Sequence, residues 1–144
     1  MKTLLFAILI GILAYGYVQN NPDSIAFFTE ETTQSDAVIR DAYRNRLNGI
    51  QVSGSGEVSH ILSDDNDGSR HQRFILRLST GQTVLVAHNI DLAPKINTLK
   101  NGDLVQFFGV YEWNSQGGVI HWTHHDPARR HIGGWLQHNG RKYE

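Results

Sequence analysis

The segment Gly117–Pro127 gathers the side chains of this chain best suited to chemistry. It reads Gly-Gly-Val-Ile-His-Trp-Thr-His-His-Asp-Pro, so His121, His124 and His125, with Trp122 and Asp126, fall within six positions and take up three of the eight histidines. Imidazole is the commonest metal ligand and the side chain best matched to proton transfer near neutral pH. Two or three neutral imidazoles with a carboxylate or water make a zinc-type ligand set. His121, His124, His125, Asp126 and His131 are therefore candidate ligands of a divalent metal, with His88 and Asp91 as further long-range completions. The spacing matches neither H-E-x-x-H nor a paired H-x-H-x-D arrangement. A hydrogen-bonded histidine network that only orders loops stands beside the metal reading, because buried polar groups must be paired either way. In an extended segment, His121 and Thr123 share one face, and Trp122 and His124 share the other.

Other stretches carry weaker signals. His88 and Asp91 would form an oriented imidazole–carboxylate pair, or Asp91 would cap a short helix running to Lys100. Asp64-Asp65-Asn66-Asp67-Gly68 departs from the calcium-loop pattern, since glycine falls at the fifth position and Ile75 stands where the bidentate Glu belongs. A solvated turn is the better reading. Arg70, Arg73 and Arg77, with His71, belong to a strand that would offer arginine forks to phosphate. Trp113, Trp122, Trp135 and Tyr111 would stack on bases or sugars, or fill the core as aromatics commonly do. The chain has no G-x-S-x-G elbow, P-loop or dinucleotide glycine pattern.

These residues need a scaffold. A length of 144 residues with 40% hydrophobic content suits one globular domain plus a terminal segment. The absence of cysteine removes disulfides, thiolate metal sites and thiol nucleophiles. The formal net charge of -1 argues against a strong nucleic-acid binder. Charge is uneven all the same: Asp23–Asp67 holds nine acidic and three basic residues, and Gly68–Glu144 five acidic and nine basic. Met1-Lys2 precedes an apolar run from Thr3 to Val18, the layout of a secretory signal. Residues 1–19 are thus expected to be a signal peptide or an anchor in the inner membrane, and the protein periplasmic or extracellular.

Residues 20–49 read as a linker followed by a helix, with Ser35 as its cap and Asn48-Gly49 as its stop. From Ile50 the period changes to two. Strands are expected over Gln51–Leu62, His71–Leu78, Thr83–His88, Leu104–Trp113 and Val119–Thr123, with a bulge or sharp bend at Gly54 or Gly56. A short helix is expected near Pro94. Asn139-Gly140 marks a C-terminal type I′ hairpin. Residues 50–144 are thus expected to form a mainly β domain, a five-stranded OB-like Greek-key barrel with an N-terminal helix and a C-terminal hairpin.

The chain resembles a family of short bacterial envelope proteins with an H-W-T-H motif, a domain of unknown function. The matching stretches are Asp64-Asp65, Arg70 to Phe74, Ala87 to Pro94, Gly102-Asp103, Tyr111 to Asn114, Gly117 to Pro127, His131, Gly134-Trp135 and His138-Asn139-Gly140. The resemblance implies an exported OB-like domain and brings no activity with it.

Two functions follow from the residues. One is a metal-assisted phosphodiester hydrolase, nuclease-like, with His121, His124 and His71 as acid, base or ligand and Arg73 or Arg70 stabilising phosphate charge. Arg70, His88, Asp91 and Trp122 would contribute to binding. The other is a non-catalytic envelope module for a small ligand or nucleic acid. Convergence of His71, His88, His121 and His124 in an open cleft beside an arginine favours the enzyme. Burial or dispersal favours the module.

Overall fold

A computed structural model describes residues 34–144. The expected signal or anchor and the expected linker up to residue 33 lie outside them. Helix α1 covers residues 34–44. Seven strands follow: β1 (Ile50–Ile61), β2 (His71–Arg77), β3 (Thr83–Asn89), β4 (Leu104–Glu112), β5 (Val119–His121), β6 (Trp135–His138) and β7 (Arg141–Tyr143). None of the described helices is long and apolar enough to cross a membrane.

Alternation along β2, β3 and β4 places Phe74 and Leu76, Val84 and Val86, and Val105, Phe107 and Tyr111 on one buried side. Such one-sided strands must close around their apolar face. They do so in the order β1-β2-β3-β5-β4, and β4 returns to β1. The result is the expected five-stranded OB-like barrel. The β3–β5 pair is parallel and the other barrel pairs are antiparallel. Closure depends on β1 serving two partners: Ile50–Glu57 pairs with β4, and Glu57–Ile61 with β2. The register irregularity in β1 lies between Val58 and His60, not at the glycines. Gly54 and Gly56 serve close approach. A Cβ at Gly54 would lie 2.8 Å from the tip of the Phe107 ring, and one at Gly56 2.9 Å from the Arg77 carbonyl oxygen.

The β3–β4 connection is irregular, contrary to the expected short helix. Pro94 disfavours helical backbone at Ala93. The segment is pinned by Gln72, whose side chain binds both the N–H and the C=O of Ile96, each at 2.9 Å, with Ile96 in the core. Helix α1 joins the same core through Ile39 and Ala42. Its buried Asp36 accepts hydrogen bonds from the backbone N–H (2.8 Å) and the hydroxyl of Ser79. The last hairpin turns at Asn139 (φ 49°) and Gly140 (φ 76°), the pair of positive angles a type I′ turn needs.

Candidate functional site

Strand β5 ends at His121 because Trp122 adopts φ 52°, the left-handed region. Strict alternation stops there, so the expected sharing of faces fails: Thr123 and His124 are both buried. A non-glycine residue in that conformation costs on the order of 1–2 kcal/mol. Packing holds it in place. Gly134 sits so close that a Cβ there would lie 1.9 Å from the Trp122 carbonyl oxygen, and its N–H donates to the His124 carbonyl at 2.9 Å.

The loop from Trp122 to Gly134 is organised by Asp126, which is buried. Its carboxylate accepts three backbone N–H groups, from Ala128 (2.9 Å), Arg130 (2.7 Å) and His131 (2.8 Å). Burial works to raise its pKa, but these donors outweigh burial and hold the carboxyl below its ordinary value. Asp126 is thus a loop organiser, with both carboxylate oxygens engaged by backbone N–H groups. His125 is exposed, and its carbonyl accepts the His124 Nδ1–H at 2.8 Å. His131 packs against the Trp122 indole with centroids 4.4 Å apart and the rings tilted by 33°. Trp122 also packs against the imidazoles of His124 (5.3 Å) and His121 (6.4 Å, edge-on).

On the outer face of β2, β3 and β5 lies an open cleft of about 200 Å³. His71, Asn89, His121, Trp122 and His124 line it, over Ala87. Each of its three imidazoles has one ring nitrogen held by an oxygen. His71 Nδ1–H donates to the Ser69 carbonyl at 2.8 Å, and His124 Nδ1–H to the His125 carbonyl. His121 Nε2 faces Glu112 Oε1 at 3.4 Å. The opposite nitrogen of each ring has no protein partner among the described residues. That pattern fixes tautomer and orientation, and leaves a lone pair for a ligand.

His88 lies beneath the cleft, fully buried. The Pro94 carbonyl accepts its Nε2–H at 3.1 Å, so its Nδ1 accepts the Thr123 hydroxyl at 2.8 Å. Desolvation lowers its pKa to about 4, assisted by the nearby imidazoles of His124 and His71. It is neutral at physiological pH. The expected His88–Asp91 pair does not form. Asp91 instead binds Arg70, accepting its backbone N–H at 2.8 Å and its Nε–H at 2.7 Å. Those bonds hold the Asp91 carboxyl below its ordinary value. Asp91 caps no helix. Arg73 donates to the Ser63 carbonyl at 3.0 Å and does not line the cleft. The acidic turn behaves as a turn, with Asp64 paired to Lys95 and Asp65 Oδ1 accepting the Asp67 N–H.

Among the described residues, no three or more His, Asp or Glu side chains are grouped to hold a metal ion. The structure therefore brings together His71, His121, Trp122 and His124, with His88 below, and separates from them Arg73, Asp91, Asp126 and His125. Sequence reading gave neither Glu112 nor Thr123 a role in the site. A usable signal existed for Glu112. The short loop between β4 and β5 sets Val110 opposite His121 and Glu112 opposite Val119, and a diagonal pair of that kind is within side-chain reach.

Among curated proteins, none matches this chain. A family model matches residues 23–144, which takes in the whole described barrel and its helix. The chain therefore belongs to the family described as protein of unknown function (DUF3465).

Proposed function

We propose that the protein is a non-catalytic OB-type binding module that captures a small polar ligand in the cleft between His71 and His124. One observation carries this reading. Three imidazoles line one open cleft, each with one nitrogen anchored by a protein oxygen and the other left to a ligand. The arginines that phosphoester chemistry would call on are engaged elsewhere, Arg70 with Asp91 and Arg73 with Ser63. The apolar run from Thr3 to Val18 supports placement outside the inner membrane, as a released or an anchored protein.

A thermal-shift screen of small polar metabolites tests the reading, with zinc, manganese, magnesium and calcium included as separate arms. A stabilising compound is expected, and its effect should vanish in His71→Gln/His124→Gln. A screen with no stabilising compound would sink the module.

The His121–Glu112 contact favours a second reading, hydrolysis of a phosphodiester with His121 as general base. The carboxylate would orient the ring and stabilise the imidazolium as it forms. Turnover of bis(p-nitrophenyl) phosphate that falls about a hundredfold in His121→Ala, and falls also in Glu112→Gln, would put this reading first.

A further inference from the structure

On the opposite wall of the barrel, register lines up a second set of side chains. Ser53 of β1, Phe108 of β4 and Trp135 of β6 form one cross-strand row. Ser55, Gln106, Gln137 and Lys142 form the next, across β1, β4, β6 and β7. Their positions alternate with the buried Val52, Val105, Phe107 and Leu136, so both rows face outward. Phe108 and Trp135 pack with centroids 6.2 Å apart at 32°, and the Lys142 ammonium lies over the indole at 4.7 Å. Beside them is an open depression of about 260 Å³, lined by Leu104, Gln106, Gln137 and Asn139. Leu104 is 62% exposed at its edge.

The chemistry of this face is specific in what it offers. The side chains of Ser53, Ser55, Gln106, Gln137 and Asn139 make no hydrogen bond to any described residue. Amides and hydroxyls both donate and accept, as the hydroxyls of a sugar do. The aromatic pair supplies apolar area for the C–H face of a sugar ring. Formal charge on this face is sparse: Lys142 lies over Trp135, Glu57 stands at the margin opposite Leu104, and the nearby Asp103 is bound by His138 at 2.7 Å. A phosphate polymer needs several cations along its track, and this face provides one, already placed over Trp135.

We propose that the outer face of β1, β4 and β6 is a binding surface for a neutral oligosaccharide. Phe108 and Trp135 form its platform, and Gln106 and Gln137 read the hydroxyls. Lys142 swings off the indole when the sugar seats. The surface is independent of the histidine cleft.

The test is nuclear magnetic resonance titration of the protein with cellohexaose, maltohexaose and chitohexaose, and separately with a single-stranded oligothymidylate. At least one saccharide is expected to shift the side-chain amides of Gln106 and Gln137 and the Trp135 indole N–H. Gln106→Ala/Gln137→Ala should weaken that binding about tenfold or more at an unchanged melting temperature, and His71→Gln/His124→Gln should leave it intact. Three outcomes overturn the proposal: no shift with any saccharide at millimolar concentration, unchanged affinity in the glutamine variant, or a response of these residues to oligothymidylate alone.

Discussion

His88 illustrates how one residue changes role with its surroundings. In the chain it is a titratable group beside an aspartate. In the fold it is a neutral imidazole held between Thr123 and Pro94. Its pKa falls from 6.5 to about 4, so the folded state resists a proton that the unfolded chain accepts. Above pH 6.5 both states are neutral and the group has no pH effect. Between pH 6.5 and 4 the unfolded state gains the proton, and stability falls by about 3 kcal/mol. The carboxyls of Asp91, Asp103 and Asp126, all held below 3.8, contribute stability that is lost only as the pH drops below that value. Thermal melts between pH 7.5 and 4.5 should therefore show a slope that is absent in His88→Leu, itself less stable at neutral pH. An equal slope in both proteins would contradict the assignment. Asp126 gives a second prediction at this scale. Asp126→Ala strands three backbone donors and should cost about 2 kcal/mol or more, with faster hydrogen exchange at the amides of Arg130 and His131.

The elements show why β1 contains glycines. Gly54 and Gly56 lie on the inward side, between Val52 and Val58. A methyl at Gly54 meets a ring tip that can tilt, whereas one at Gly56 meets the Arg77 carbonyl. Gly56→Ala should thus destabilise by about 1–3 kcal/mol and Gly54→Ala by less, as read by chemical denaturation. Equal costs would mean that the Phe107 ring is as immobile as backbone. Gly134→Ala should be the most severe of the three, since the Trp122 carbonyl would have to move and the whole loop with it. Loss of the His124 environment, seen as a changed imidazole resonance, should accompany that loss of stability.

Across the whole molecule, the helix and the barrel share one core. Ile39 has no exposed surface and packs in the same cluster as the barrel strands. Ile39→Ala should cost about 2–5 kcal/mol and lower a single cooperative transition. If the barrel instead melted unchanged while helical signal disappeared early, the helix would be an appendage. The two outer faces also differ in chemistry. The cleft of β2, β3 and β5 is imidazole-rich, and the face of β1, β4 and β6 carries uncharged amides, hydroxyls and aromatics. A ligand for one should leave the other unperturbed.

The period-two patterns from Ile50 onward, the turn residues between them and the Asn139-Gly140 dipeptide were enough to read the strands, their order along the chain, the closing hairpin and the barrel class, because alternation and turn chemistry are local properties of the backbone. The concentration of histidines was legible for the same reason. Which histidines meet was not. Trp122 turns left-handed only because Gly134, twelve residues further along the chain, lets the Trp122 carbonyl and the His124 carbonyl close on it. That turn breaks the alternation on which the face assignment rested. On paper Asp91 had His88 or a helix cap to choose from; β2–β3 register brought Arg70 to it instead and left His88 to Thr123, a residue 35 positions away. Asp126 looked like a ligand because a carboxylate's type is visible in a sequence, whereas the backbone N–H groups that engage it appear only once the loop is folded. Residue types and periods are written in the chain itself; the partner of each polar group is decided by long-range packing, and that partner determines whether a side chain serves the fold or faces a ligand.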